Sequence, residues 1–461
     1  MIKFHWPLLA ALALSGCVNL APQYERPEAP IPVQWQAGVN GDVAADIQWQ
    51  QFFTDSRLAQ LQTLALANNR DLRLASLNIE KAQAQYRIQR AAALPSIDAG
   101  VSGTHSRTPG SLSSSGMAST SHDYSAQLGL SSYEVDVFGR VQNLQDEALQ
   151  AYLALTETRR STQISLVAEV ATAWLTLAAD NERLQLAQDT LTSQQATFEL
   201  TQRSHALGGS AALAVAQAQT TVESARGDVA EYQSQILQDR NALRLLVGSD
   251  IPDALLPGTH LESAAALVQV PGELPSSLLQ RRPDVLAAEH SLQSANIDIG
   301  AARAAFFPTI SLTANAGSAS SALSGLFKAG SGAWTFAPSI SLPIFDAGSN
   351  RATLDAAKVE KEIQVQTYQQ TLQTAFKEVA DALAVRSTLD QRLAAQQAFT
   401  DASQKSFELS DALYRAGSQS YLEALDSQRS LYSAEQDLIT LRLAEQSNRV
   451  TLYKVMGGGW Q

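Results

Sequence analysis

Arg90-Ala91-Ala92-Ala93-Leu94-Pro95 occurs a second time in this chain, as Arg303-Ala304-Ala305-Phe306-Phe307-Pro308. Further matches stand 209 positions apart: Gly139 and Gly348, Phe198-Glu199-Leu200 and Phe407-Glu408-Leu409, Gly208 and Gly417, and Gly248 and Gly457. A repeat of this length is too long for a solenoid unit, whose period is at most about 50 residues. The sequence therefore predicts two structurally equivalent halves related by a pseudo-symmetry axis.

Each half also contains segments in which apolar and polar residues alternate. The alternation is clear in 124–132, 309–316 and 334–342, and weaker around 97–101. Such alternation predicts β-strands, and over about ten residues it is typical of strands in a transmembrane β-barrel. Two soluble hairpins packed on a core are the alternative reading. The Ser- and Gly-rich connections 108–121 and 317–332 are predicted to be flexible and exposed.

Four strands are too few for a barrel of their own. Bacterial barrels begin at about eight strands, and an open sheet edge cannot lie in lipid because its backbone amides would have no partners. The chain is therefore predicted to borrow strands from copies of itself, which gives eight strands in a dimer and twelve in a trimer.

Long helices account for most of the remaining sequence. The segments 140–206 and 349–416 contain neither proline nor glycine, and a helix of that length measures about 100 Å. Short turns at Gly208-Gly209-Ser210 and Gly417-Ser418 precede a second helical segment in each half. Two long helical hairpins result. A soluble coiled-coil bundle would explain the helices but not the strands.

The N-terminus carries a targeting segment. Lys3 and the apolar stretch 7–14 precede Leu14-Ser15-Gly16-Cys17, which resembles a bacterial lipoprotein signal. We expect cleavage after Gly16, and N-acyl and S-diacylglycerol groups on Cys17, the only cysteine. An ordinary secretory signal with a chance cysteine is the alternative. Four prolines between residues 21 and 33 predict an extended segment after the anchor.

Composition argues against several functional classes. A formal net charge of -12 disfavours nucleic acid. After the N-terminus no apolar run is long enough for a membrane-spanning helix. The six histidines show no metal-ligand spacing, and neither a catalytic arrangement nor a phosphate-binding loop is present. We therefore expect no enzyme activity, no metal and no cofactor apart from the covalent lipid.

Five motifs carry a resemblance that covers essentially the whole chain. They are Leu14–Cys17, Trp49–Leu72, Leu279–Glu289 with its Arg-Arg-Pro-Asp, Tyr421–Arg429, and the ending Leu452–Trp460. With these motifs the chain resembles the TolC-like outer membrane factor family, in its lipoprotein branch of the OprM and NodT type.

The resemblance implies a membrane α+β fold and a homotrimer. Each chain would contribute four strands to one 12-stranded barrel in the bacterial outer membrane, continued by a long periplasmic α-helical barrel. The trimer would be the passive exit duct of an efflux system for drugs or other small toxic compounds. Its partners would be outer membrane lipids, a periplasmic adaptor (membrane fusion) protein and an inner-membrane pump of the resistance-nodulation-division type. A duct for type I protein secretion and a non-conducting coiled-coil envelope lipoprotein are the alternatives.

The resemblance also implies a periplasmic gate. Leu422, Asp426 and Arg429 match the positions that constrict the mouth of related channels. Glu423 lies three residues before Asp426, so both face one side of a helix, and in a trimer they would form two rings of carboxylates that favour cations. Acids near a helix N-terminus also occur simply because they suit the helix dipole.

Two further features of related mouths bear on the tips of the hairpins. In relatives, an acid and an arginine tie neighbouring helices together. The residues of this chain at those two positions are Ala214 and Gln419, so Tyr414 and Arg415 are the candidates for such ties here. The resemblance places adaptor docking at the turns, which comprise Gly208, Gly209, Ser210, Gly417 and Ser418. The alternative is a bare turn in which glycine ends a helix.

The predicted domain organisation follows the repeat. A signal peptide (1–16) and a lipid-anchored extended segment (17–48) precede two repeats. The first repeat (49–260) contains helices, a β-hairpin at about 95–136 and a helical hairpin at 140–247. The second (261–461) contains a helix at 283–305, a β-hairpin at about 308–343 and a helical hairpin at 349–456.

Overall fold

A computed structural model describes residues 18–32, 48–260 and 276–458 of the chain. The predicted signal peptide and the predicted lipidation site Cys17 lie outside the described residues. In chain order the elements are α1 (Trp49–Phe52), α2 (Ser56–Asn68), α3 (Arg70–Ala92), β1 (Ile97–Thr108), β2 (Ser119–Glu134), α4 (Arg140–Ala206), α5 (Ala212–Val247), α6 (Pro283–Ala304), β3 (Thr309–Ser320), β4 (Gly332–Ser341), α7 (Ser349–Arg415) and α8 (Tyr421–Val455).

The four strands form one antiparallel sheet in the order β1-β2-β3-β4. The register sets Ala99 opposite Leu128, Leu128 opposite Ala316, and Ala316 opposite Trp334. Since paired residues share a face of the sheet, this row continues one apolar face across all four strands. The prediction of four strands with an apolar and a polar face is therefore confirmed.

Three details of the strands and their connections differ from the sequence-based expectation. β1 is a full strand of 12 residues, although its alternation is weak. β2 carries a β-bulge between Leu130 and Tyr133, where Ser132 has a φ of 50°. The connection between β3 and β4 is also not uniformly exposed, because the side chain of Leu326 is buried.

The chain divides into two compact units, and each takes segments from both sequence halves. The first contains the described parts of Met1–Glu28, Asn78–Thr156 and Ala287–Gln369, and thus the sheet. The second contains the described parts of Ala29–Leu77, Glu157–Leu286 and Gln370–Gln461.

The core of the second unit is built around large aromatic side chains. Phe52 stacks on Tyr453 with ring centroids 4.1 Å apart, and Trp174 donates from Nε1 to the carbonyl oxygen of Leu255 at 3.0 Å. The helix Arg140–Ala206 is long and apolar enough to cross a membrane by length and composition, yet 61% of its most apolar window is buried inside the protein. That burial is typical of a core helix.

In the first unit, residues 18–28 form an extended strap along α6. Arg303 donates to the carbonyl oxygen of Leu20 at 3.0 Å, and Asn296 donates to that of Pro22 at 2.8 Å. Farther along, Arg26 binds the carboxylate of Glu289 through two nitrogens, at 2.8 and 2.9 Å. The strap therefore runs antiparallel to α6.

Glu289 is the strongest attachment point of the strap. Its side chain is buried and also accepts a hydrogen bond from the Tyr24 hydroxyl at 3.2 Å. Burial, and then the negative charge of Glu289, raise the pKa of Tyr24 to about 12, so this hydroxyl remains a donor at neutral pH.

Glu289→Gln should release the strap, because it removes the charge from both bonds to Arg26. Charge-assisted hydrogen bonds contribute about 1.5 kcal/mol at the lower end of their range, so we expect a Glu-specific protease to cut after Glu25 or Glu28 about tenfold faster in full-length protein. The matched control is Glu408→Gln, since Glu408 is exposed and binds only Gln404 and Lys405 in the described structure. Equal cleavage in both variants would contradict the role of Glu289.

Candidate functional site

The two helical hairpins end in turns of the same geometry. At the first, Gly209 N–H donates to Ser204 O at 2.8 Å and Gly208 N–H donates to His205 O at 2.9 Å. At the second, Ser418 N–H donates to Leu413 O at 2.9 Å and Gly417 N–H donates to Tyr414 O at 2.9 Å. Both are Schellman motifs, which satisfy the last carbonyls of a helix.

The glycine in each turn is required by the backbone. Gly208 has a φ of 78° and Gly417 a φ of 73°, in the left-handed region that disfavours other residues. No atom lies within 4 Å of a Cβ built at either position. The turns are therefore conformationally constrained and sterically open. At the first, His205 Nδ1 also lies 2.7 Å from the carbonyl oxygen of Ser210.

Helix α8, which follows the second turn, presents two different faces. Leu422, Asp426 and Arg429 are exposed at successive helical turns, whereas Tyr421 and Leu425 are buried on the other side. Within the described part of the chain, neither Asp426 nor Arg429 makes a hydrogen bond or an ion pair. We refer to Leu422, Asp426 and Arg429 as the exposed stripe.

Glu423 has a local role that the sequence analysis did not assign to it. Its carboxylate accepts hydrogen bonds from the Ser420 backbone N–H at 3.3 Å and from the Ser420 hydroxyl at 3.2 Å. Such a bond satisfies a free N–H at the start of the helix. Its membership of an acidic ring stays a prediction.

The buried face of α8 packs in a small cluster where four helices meet. Tyr421, Leu425 and Ala218 form its centre, with Phe198, Ala214 and Tyr414 against them. The rings of Tyr414 and Tyr421 have centroids 5.4 Å apart, and the hydroxyls of Tyr414 and Thr201 lie 2.9 Å apart. These contacts, which we call the tip cluster, join the first hairpin (α4, α5) to the second (α7, α8).

A second tie joins the hairpins farther from the turns. The hydroxyl of Tyr432 in α8 donates to the carboxylate of Asp228 in α5 at 3.0 Å. Burial, and then this bond, raise the pKa of Tyr432, which keeps the proton on the hydroxyl. Ala214 lies within the tip cluster and contributes apolar contact only.

Of the candidate substitutes, Tyr414 joins the hairpins, whereas Arg415 pairs with Asp411 of its own helix at 2.7 Å. No sequence pattern singled out Thr201, Tyr421 or Tyr432 as functional residues. Comparison of the two sequence halves could have pointed to Tyr414 and Tyr421. The first half has His205 and Ala212 at the equivalent positions. Replacement of a small or polar residue by tyrosine in only one half indicates an asymmetric contact.

Comparison with known families agrees with this architecture. A family model described as outer membrane efflux protein matches the chain twice, over residues 61–249 and 274–458. The two matches correspond to the two sequence halves.

Known proteins resemble the chain over nearly its full length. It is 48% identical to the antibiotic efflux pump outer membrane protein ArpC of Pseudomonas putida and to the toluene efflux pump outer membrane protein TtgC of the same species, in both cases covering 98% of this chain and 94% of the relative. It is 43% identical to the cation efflux system protein CusC of Escherichia coli O6:H1, covering 99% of this chain and 98% of the relative.

Solved structures share the fold. A membrane protein from Pseudomonas aeruginosa matches with a TM-score of 0.90 and 43% identity, covering 96% of this chain and 98% of that one. The open state of the Neisseria gonorrhoeae MtrE outer membrane channel matches with a TM-score of 0.87 and 38% identity, covering 96% and 99%.

These matches confirm the TolC-like fold of four antiparallel strands and long helices in two repeats. They also agree with an outer membrane efflux channel that is not an enzyme. The chain belongs to the outer membrane efflux protein family.

Proposed function

We propose that three copies of this chain form the exit duct of a tripartite efflux system. The sheet supports a closed oligomer, because β1 and β4 are its edges and pair with no further strand in the described residues. Its apolar face is open to the surroundings, with Val101 80%, Trp334 77% and Ile340 72% exposed. Strands from neighbouring copies would satisfy the edge amides, and lipid would cover the apolar face.

The transported compounds follow from the relatives. Their names include antibiotic, toluene and cation efflux, so we propose small toxic compounds of mixed chemistry as the cargo. A duct of this kind conducts passively and leaves selection to the pump.

The proposed partners are a periplasmic adaptor and an inner-membrane pump of the resistance-nodulation-division type. Two repeats, 49–260 and 261–461, remain the proposed organisation.

The strap supports the proposal of a lipid on Cys17. Val18 N–H donates to the carbonyl oxygen of Val137 at 3.1 Å, just after β2 ends and before α4 begins. Val137 belongs to the connection between the last residue of β2, Glu134, and the first residue of α4, Arg140. An acyl group one residue before Val18 would therefore start where the barrel meets the periplasm, within reach of the inner leaflet.

The observation that carries the proposed gate is the exposed stripe. Asp426 and Arg429 stand exposed, without an ion-pair partner in the described residues, on a helix whose opposite face is packed in the tip cluster. In a trimer they would meet the same residues of neighbouring copies. Opposite charges from neighbours would hold the resting mouth closed, with Leu422 as an apolar constriction and Glu423 as a second acidic ring.

Asp426→Ala and Arg429→Ala should each raise single-channel conductance several-fold in planar bilayers, because each removes one side of the attraction between copies. Glu223→Ala and Arg226→Ala are matched controls. Those residues are also exposed and three positions apart, but they pair with each other at 2.6 Å within α5. Unchanged conductance of both stripe variants would contradict the gate.

Leu425→Ala should loosen the tip cluster, whereas Leu422→Ala should not. Leu425 is 1% exposed and Leu422 57% exposed, so the first substitution costs about 2–4 kcal/mol and the second less than about 0.5 kcal/mol. Hydrogen exchange of residues 198–218 and 414–428 is the measurement. Equal protection in both variants would show that the cluster does not stabilise the tips.

Gly208→Arg and Gly417→Arg should abolish drug resistance without preventing trimer formation, because they alter the proposed docking surface. Gly227→Arg is the control, since Gly227 is also open to solvent but lies within α5. Gly417→Asn tests the backbone alone, because asparagine tolerates a positive φ. Resistance retained by both arginine variants at the turns would count against docking there.

A further inference from the structure

Two histidines face each other across the β1–β2 hairpin. His105 and His122 are direct partners in the strand register, although 17 positions separate them in sequence. Their Nδ1 atoms lie 2.6 Å apart, and both side chains are exposed. The hairpin thus brings two imidazole nitrogens into direct contact.

Tyr124 fixes the orientation of this pair. Its hydroxyl lies 3.2 Å from Nε2 of His105. Its ring crosses the opposite residue, Gly103, where an added Cβ would meet the ring at 3.2 Å. Any larger residue at position 103 would displace the tyrosine, so the glycine provides the room that this arrangement needs.

We propose that His105 and His122 bind a divalent late-transition-metal ion, Cu²⁺ most strongly. Imidazole is a preferred ligand of Cu²⁺, Ni²⁺ and Zn²⁺, and Cu²⁺ heads their order of affinity. The two Nδ1 atoms are the protein ligands and water completes the coordination. No group of three or more His, Cys, Asp or Glu side chains suited to a metal occurs in the described residues, so this site holds its ion through two imidazoles.

The hydrogen bonds of the pair make Nδ1 the binding atom. When the Tyr124 hydroxyl accepts from Nε2–H of His105, the Nδ1 lone pair of His105 is free to accept or to ligate. A ligand histidine typically donates its other N–H in this way. With His105 in that tautomer, the metal-free contact requires Nδ1–H of His122 to donate into this lone pair. The ion takes the place of this proton, which moves to Nε2 of His122.

Only a small movement is needed. Metal–nitrogen bonds of about 2.0–2.1 Å require the two nitrogens to stand roughly 3 Å apart, a few tenths of an ångström more than the 2.6 Å observed. Rotation of the exposed rings supplies this change without displacing either strand.

The position of the site indicates what the ion does. His105 and His122 share the apolar face of the hairpin with Val101 and Leu128, three register pairs from the last pair, Thr108 with Ser119. Transported compounds would pass the opposite, polar face. The ion is therefore a clamp across β1 and β2 near their connection, separate from the cargo of the proposed duct.

The experiment is a Cu²⁺ titration of the full-length protein in detergent, purified without a histidine tag. Calorimetry should give one Cu²⁺ per chain, and electron paramagnetic resonance should show two nitrogen ligands. His105→Asn and His122→Asn should each weaken binding at least tenfold, and Tyr124→Phe several-fold. His260→Asn, which removes an exposed histidine elsewhere, should leave binding unchanged.

Binding unaffected by both histidine variants, or no binding by the unmodified protein, would overturn the site and leave the cluster as an interfacial aromatic belt. If the variants fail to fold, modification of the unmodified protein by diethyl pyrocarbonate decides the question. Cu²⁺ should protect His105 and His122 but not His260, and equal modification with and without Cu²⁺ would overturn the proposal. Conductance tests the duct separately.

Discussion

The backbone amides at the edges of the β-sheet impose the main constraint on this protein. In the described residues, β1 and β4 each have one side without a strand partner, and one face of the sheet carries exposed large apolar side chains on β1, β2 and β4. Water would solvate the amides but not that face, whereas lipid would cover the face but leave the amides unsatisfied. Additional strands from other copies meet both requirements, so the hydrogen bonding of the sheet requires a closed oligomer, and the proposed trimer satisfies it with twelve strands.

The duplication provides equivalent parts, and a few side chains make them different. Both hairpins end in the same Schellman turn because each has glycine at the position with positive φ. Beyond the turns, Tyr414 and Tyr421 join the hairpins, whereas the first half has a histidine and an alanine at the equivalent positions. The exposed stripe of α8 likewise has no charged counterpart in the first half, where Leu213, Gln217 and Thr220 stand at the equivalent positions.

Local patterns predicted those elements whose periodicity is undisturbed. The long helices follow from the absence of glycine and proline, and β3 and β4 follow from strict alternation. The strand β1 gave a weaker signal because Gly103, His105 and Arg107 interrupt its apolar face, and it is stabilised by pairing with β2. The bulge at Ser132 was also missed, because it depends on pairing with β3. The capping role of Glu423 was not predicted either, although Ser420-x-x-Glu423 is a sequence pattern for a capping box.

Periodicity and single residues such as glycine were enough to predict the two halves and the turns, whereas the protein class and the residues of the exposed stripe came from the resemblance to a known family. Tertiary structure decided which residues meet. It brought Thr201 to Tyr414 and Asp228 to Tyr432, and it set His105 against His122 across the hairpin. The spacing of the six histidines along the sequence indicated no metal site. Two residues that pair across a hairpin have no fixed separation in sequence, because that separation depends only on the register and on the length of the connection.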